Sequence, residues 1–181
     1  EKVDFAPDAY RMRFTSNHDE NSWNGTEYER LGEGAQTFAV LSFMIPGMPL
    51  IYSGQESAMN KRLGFFDKDT ISWEGYNLAS FYSLLIRTKK ENPALWNGEA
   101  GGNLKKIHSN NDNYIYAFSR EKEGNKIIAI FNLSAASQPL KIEVKDLAGK
   151  YQNMITGDTE TIGETITAMM NPWEYRIFIR K

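Results

Sequence analysis

The spacing of apolar residues changes character near residue 97, and this change restricts the folds open to the chain more than any other feature. Before it, short apolar runs alternate with helical patterns. Residues 11–16 read as a short strand. Residues 33–45 carry Phe38, Leu41, Met44 and Ile45, with Ala35 and Ala39 between them, at the spacing of a mostly buried helix. Pro46-Gly47 stops that helix. Residues 49–53 form a second strand, a continuous apolar run of the kind expected for a parallel strand buried on both faces. Residues 78–91 place Leu78, Phe81, Leu84 and Leu85 on one helical face, with Pro93 just beyond the end. Residues 21–32 and 60–75 read as loops, and residues 1–10 as a linker. A β-α-β-α order argues for parallel strands joined by crossover helices.

After Gly98-Glu99-Ala100-Gly101-Gly102 the helical spacing is gone. Residues 114–118, 126–132, 140–144, 151–155, 165–169 and 175–179 are short β-branched or aromatic runs, parted by turns such as Glu123-Gly124-Asn125. That regularity predicts an antiparallel Greek-key β-sandwich. The expected fold is therefore α/β followed by all-β, with one unit over residues 1–96 and a second over 97–181.

Composition removes several function classes. The chain of 181 residues has 21 Lys+Arg against 23 Asp+Glu, scattered, for a net charge of -2. No basic stripe favours nucleic acid. No apolar run approaches the length of about 18 residues that a membrane-spanning helix needs. The absence of cysteine excludes disulfides and thiolate metal sites. No signal peptide is visible, and a start at Glu1 rather than Met points to a processed piece of a longer chain. The compartment stays open between secretion and cytoplasm.

Two strand ends carry the chemistry. Phe14-Thr15-Ser16-Asn17-His18-Asp19 sets an amide, an imidazole and a carboxylate directly after an apolar entry. Residues at strand ends sit where loops form clefts. One helix later, Gly47-Met48-Pro49-Leu50-Ile51-Tyr52-Ser53-Gly54-Gln55-Glu56 repeats the pattern. On local chemistry alone, Asn17-His18-Asp19 could equally be a turn or helix cap. The other histidine, His108, lies in the all-β half, so no histidine cluster suggests zinc. Glu20 follows Asp19, but adjacent strand residues point to opposite sides, which argues against a second catalytic carboxylate there.

Together these elements resemble the C-terminal end of the α-amylase family of glycoside hydrolases. Residues 14–19 match the family's F-x-x-N-H-D motif on the seventh strand of its (β/α)8 barrel. Gly47, Pro49, Ile51, Tyr52, Gly54 and Glu56 match G-x-P-x-I-Y-x-G-x-E on the eighth. Asp69-Thr70-Ile71-Ser72-Trp73 is similar to the loop that follows, and the tail to the family's C-terminal sandwich, closing on Pro172-Trp173-Glu174-Tyr175. The resemblance implies a catalytic role for Asp19 as the third carboxylate, stabilising the transition state. It implies sugar contacts for His18, Asn17 and Trp23, with Arg13 and Tyr28 as lesser candidates. Glu56 would line the rim or hold a structural bond, and Trp73 and Trp173 would pack in the core or between domains.

The family's nucleophile Asp and acid Glu, on strands four and five, have no counterpart here, so the fragment alone is expected to be inactive. The expected partners are an α-glucan or maltooligosaccharide and the N-terminal part of the barrel, with self-association through exposed barrel strands. No cofactor or metal is expected on these residues. Calcium, where family members use it, is held largely by regions this chain lacks. The alternative is a carbohydrate-binding or purely structural module.

Overall fold

In the first half, Pro46 and Gly47 turn the chain out of a helix and into a strand that lies beside an earlier one. The computed structural model describes Ala6 and residues 9–181, so the linker expected over residues 1–10 falls mostly outside the described residues. Strand β1 (Met12–Arg13) pairs in parallel with β2 (Met48–Pro49). The Met48 N–H donates to the Arg11 carbonyl at 2.9 Å and the Leu50 N–H to the Arg13 carbonyl at 2.8 Å. Gly47 permits this approach: its φ is +133°, and a Cβ there would meet the Arg11 carbonyl oxygen at 2.5 Å. Both strands are shorter than the expected runs, and neither is buried on both faces. Met12, Phe14 and Met48 are exposed.

Two helices connect these strands, α1 (Glu27–Leu31) and α2 (Ala35–Met44). The first replaces the loop expected over residues 21–32. Its cause is a capping box. The Thr26 hydroxyl accepts from the Glu29 N–H at 3.2 Å, and the Glu29 carboxylate accepts from the Thr26 N–H at 2.7 Å. Helix α3 (Ala79–Glu91) follows the 60–75 loop and packs on α2.

Eight strands make up the second half: β3 (Leu104–Ile107), β4 (Ile115–Lys122), β5 (Asn125–Asn132), β6 (Gln138–Glu143), β7 (Gly149–Asn153), β8 (Thr159–Ile162), β9 (Thr165–Met170) and β10 (Tyr175–Arg180). A six-stranded sheet in the order β3-β4-β5-β10-β7-β8 faces the pair β6-β9. All of these pairings are antiparallel. Glu123 and Gly124, at φ 51° and 84°, close the β4–β5 hairpin as a two-residue turn. β9 returns to lie beside β6, the first of four consecutive strands, which is a Greek-key return spread over two sheets.

β5 is the centre of the molecule. Ile128 and Ile130 join Ile115, Leu140, Ile142 and Met170 in the core between the sheets. Ile127, Ala129 and Phe131 face the other way, against Val40, Phe43, Met44, Leu85 and Leu95 of the helical layer. The result is three layers: helices, a six-stranded sheet and a two-stranded cover.

Arg120 of β4 fastens the layers together. It is fully buried, and its guanidinium donates to the carbonyls of Gly102 (2.9 Å), Met44 (3.0 Å), Leu95 (3.4 Å) and Trp96 (2.6 Å). Burial lowers its pKa to about 10. Trp173 also bridges the halves. Its ring lies against Gly34, where a Cβ would come within 2.9 Å, and its carbonyl accepts from the Thr37 hydroxyl. Trp73 differs from the expectation of core packing. It is exposed and stacks on Tyr76, with ring centroids 5.8 Å apart.

Candidate functional site

The run after β1 leaves extended backbone within a few residues. The Asn17 side-chain oxygen accepts from the Glu20 N–H at 2.7 Å, so Asn17 caps the turn that follows. His18 and Asp19 open that turn, and Glu20–Asn24 continue it as a π-helical turn. Strand alternation therefore does not orient Glu20. Its carboxylate instead accepts from the Asn24 amide at 3.0 Å and lies 3.8 Å from Arg30.

The cap leaves His18 and Asp19 side by side in solvent. Their side chains are 68% and 59% exposed, with Nε2 of His18 3.5 Å from the Asp19 carboxylate. Trp23, one turn on, is also exposed and packs against Phe65, with ring centroids 5.1 Å apart. Phe65 in turn lies 5.7 Å from the His18 ring. The structure thus gathers His18, Asp19 and Trp23 on one surface and gives the Asn17 oxygen to the backbone.

Beneath this surface a buried network ties the two strand ends together. The Thr15 hydroxyl donates to the Glu27 carboxylate at 2.7 Å and accepts from the Gln55 amide at 2.8 Å. The same amide donates to Glu27 and reaches the Tyr82 hydroxyl at 3.1 Å. The Gln55 carbonyl oxygen accepts from the Tyr52 N–H at 2.7 Å. Burial pushes the Glu27 carboxyl above its ordinary value, against the opposing pull of the Thr15 and Gln55 hydrogen bonds and the Arg30 charge. Arg30 donates to the Thr15 carbonyl at 2.5 Å. The backbone just before His18 and Asp19 is therefore fixed from α1, from the turn after β2 and from α3.

Polar contacts also clasp the loop after residue 60 to the π-helical turn. The buried Asn21 amide donates to the Lys61 carbonyl at 3.1 Å, and its oxygen accepts from the Leu63 N–H at 2.7 Å. The Ser22 hydroxyl donates to the Leu63 carbonyl at 2.8 Å. Arg62 grips Glu29 through two nitrogens, at 2.9 and 3.1 Å, and this pairing lowers the Glu29 pKa to about 2. Lys61 donates to Asp69, whose carboxylate also accepts from the Gly64 N–H at 2.9 Å. Asp69 is held at about 2 mainly by Lys61. Glu56 accepts from the Gly54 N–H at 3.2 Å. Among the described residues no group of three or more His, Cys, Asp or Glu side chains is placed to hold a metal ion.

Most of the chain is similar to known proteins. Residues 106–169 match the model of the bacterial alpha amylase C-terminal domain. Alpha-amylase MalA of Haloarcula japonica is 28% identical over 140 residues, covering 74% of this chain and 20% of the relative. Alpha-amylase 2 of Dictyoglomus thermophilum is 25% identical over 166 residues, covering 83% of this chain and 26% of the relative. Residues 106–169 thus resemble an α-amylase C-terminal domain, and most of the chain is similar in sequence to α-amylases. The chain also shares the fold of the maltogenic alpha-amylase AmyB from Thermotoga neapolitana, with a TM-score of 0.76 at 16% identity. That match covers 94% of this chain and 41% of AmyB. The chain thus spans about a quarter or less of the curated α-amylases it matches.

In the first half of the chain, the two strand-end motifs do not mark Glu27, Gln55, Tyr82, Phe65 or Phe66. Thr26-x-x-Glu29 was the available signal for α1, and hence for Glu27. Gln55 occupies a variable position of the second motif. Tyr82 gives no local signal, because the Gln55 amide that its hydroxyl meets lies 27 residues away.

Proposed function

We propose that the chain supplies the third carboxylate and part of the sugar-gripping surface of a retaining glycosidase acting on α-glucosidic bonds of starch-like glucans. The observation that carries this reading is the exposed His18–Asp19 pair, 3.5 Å apart at the end of β1 and braced from below by the Thr15–Glu27–Gln55 network. Bond cleavage passes through a transition state with positive charge on the sugar ring. Hydrogen bonds that a carboxylate accepts from ring hydroxyls can strengthen as that charge develops. Asp19 takes that role, and His18 donates to the same sugar. Such hydrolysis also needs a nucleophile and an acid flanking the scissile bond. In this reading both come from outside residues 1–181.

The parallel pair β1–β2 with its helices is, in the same reading, the closing part of a (β/α)8 barrel over residues 1–96, with the sandwich over 97–181 as a separate domain. Exposed Met12, Phe14 and Met48 then mark the side on which further strands or a second copy would pair. Starch hydrolysis by the isolated chain is the direct test. No turnover is expected, together with measurable maltooligosaccharide binding that Asp19→Asn weakens. Robust hydrolysis by the chain alone would overturn the assignment.

A further inference from the structure

An exposed imidazole can donate to a ligand from one orientation only if something holds it there. Among the described residues the His18 ring meets the Asp19 carboxylate, 3.5 Å away, and the Phe65 ring, 5.7 Å away by centroid and tilted by 31°. Asp19 is itself exposed and offers no fixed wall. Phe65 offers one, provided that the loop carrying it is fixed. Residues 60–75 form no helix or strand, so their own backbone bonds do not set the place of that ring. Asn21 supplies the anchor. It is buried, and both ends of its side-chain amide are used: the nitrogen donates to the Lys61 carbonyl at 3.1 Å, and the oxygen accepts from the Leu63 N–H at 2.7 Å. These two bonds hold the loop two residues before Phe65, and the Ser22 hydroxyl adds a third, to the Leu63 carbonyl. The Asn21 N–H donates to the Asn17 carbonyl at 2.9 Å, so the turn that bears the anchor also bears His18.

The contacts close on themselves. They run from His18 through the turn to Asn21, across to Lys61 and Leu63, and along the loop to Phe65, which returns to His18. A buried amide is costly unless both of its ends are bonded. A slip of the loop by one residue would leave the Asn21 amide unpaired, so its burial selects one register and with it one position of Phe65. We propose that Asn21 is a positioning residue for His18, setting the 60–75 loop so that Phe65 holds the imidazole where it donates to a sugar hydroxyl. This inference rests on the reading of His18 and Asp19 given above. It sets Asn21 apart from a residue that only stabilises the fold: its effect on sugar binding should vanish once His18 is gone.

The experiment titrates the 181-residue chain with maltohexaose by NMR, for the wild type, Asn21→Asp, His18→Ala and the double variant, with a thermal melt of each. Asn21→Asp keeps the acceptor for the Leu63 N–H but sets a carboxylate oxygen against the Lys61 carbonyl. It is expected to weaken maltohexaose about 3- to 10-fold, the size of one hydrogen bond, and to shift the His18 ring protons as the Phe65 ring moves off them. His18→Ala should weaken binding to a similar extent, and adding Asn21→Asp to it should change binding no further. Ser22→Ala, which removes a single bond to the loop, should shift the His18 protons the same way by less, and it takes the place of Asn21→Asp in both backgrounds if that variant does not melt cooperatively. If His18→Ala weakens binding and the loop variant weakens it as much again in that background, the positioning role is overturned and the His18–Asp19 reading stands. The same holds if the His18 protons stay in place in both loop variants. If His18→Ala binds like the wild type, or the wild type does not bind, both are overturned.

Discussion

β5 and the β1–β2 pair both carry apolar residues, yet those residues end in opposite surroundings. Every apolar residue of β5 is buried, with Ile128 and Ile130 covered by the two-stranded sheet and Ile127, Ala129 and Phe131 by the helices. In the β1–β2 pair, Met12 and Met48 face water, and so does Phe14 just beyond β1. The difference lies in the covering layers. β5 has a partner on each face, the two-stranded sheet on one and the helices on the other, whereas the parallel pair has α1 and α2 but lacks neighbours along its edges among the described residues. A continuous apolar run therefore does not ensure burial. Its fate depends on what the rest of the chain provides.

Removing the fastening between the two regions should give the largest effect. Arg120→Ala strips the donors from four carbonyls, three of them in buried bonds, and leaves a void between the layers. A loss of about 3–5 kcal/mol is expected, read as a lower urea midpoint. Arg120→Lys should recover little, because one ammonium cannot serve carbonyls arranged around a planar fork. Truncation inside the sandwich comes next. Ile130→Ala should cost about 2–4 kcal/mol, since both layers around β5 are closed and cannot collapse fully onto the gap.

The same contrast explains what was legible in the sequence. Runs 114–118, 126–132 and 175–179 announced β4, β5 and β10 because the central strands of a covered sheet are apolar and β-branched. β3 and β8 went unread. They are the edge strands of the six-stranded sheet, and their Leu104-Lys105-Lys106-Ile107 and Thr159-Glu160-Thr161-Ile162 carry the polar residues that edges need. Near the site, α1 was hidden because five residues are too few for a periodic pattern. Only its capping box marked it. Asn17, His18 and Asp19 were visible as a polar strand end. That Asn17 would cap the turn, and that Phe65 would reach His18 and Phe66 would reach Trp23 across more than forty residues, depended on tertiary contacts that no local pattern encodes.

A smaller effect separates the regions by pH. Glu27 is the buried acid of the βαβ region, and its folded pKa is raised above 4.5. A raised acid disfavours its charged form in the folded state. Its contribution to stability is therefore complete below pH 4.5 and is lost as pH rises through the folded value. The exposed acids Glu29 and Asp69 shift the other way, each to about 2, so their contributions fall away only as pH drops below about 4.5. Between pH 4.5 and 7, Glu27 is thus the group to watch. The wild-type melting temperature should rise as pH falls across this window, and Glu27→Gln should flatten the slope while raising stability at pH 7. A slope unchanged in Glu27→Gln would assign the pH dependence elsewhere.

The smallest change in stability should come with the clearest change in association. Met48 on β2 is 44% exposed, and the apolar stem of a lysine can cover the same surface, so Met48→Lys should shift stability by under about 0.5 kcal/mol, read as the urea midpoint. If the β1–β2 side pairs with a second copy, a lysine there sets like charges against each other across a twofold contact and adds the kind of charge that blunts strand edges. Sedimentation velocity of the wild type is then expected to depend on concentration, and that of Met48→Lys to show a monomer throughout. A wild-type chain that sediments as a monomer at all concentrations, with a single cooperative melt, would mean that the parallel pair needs no partner. The contrast with β5 would then be one of exposure alone rather than of an unfinished layer.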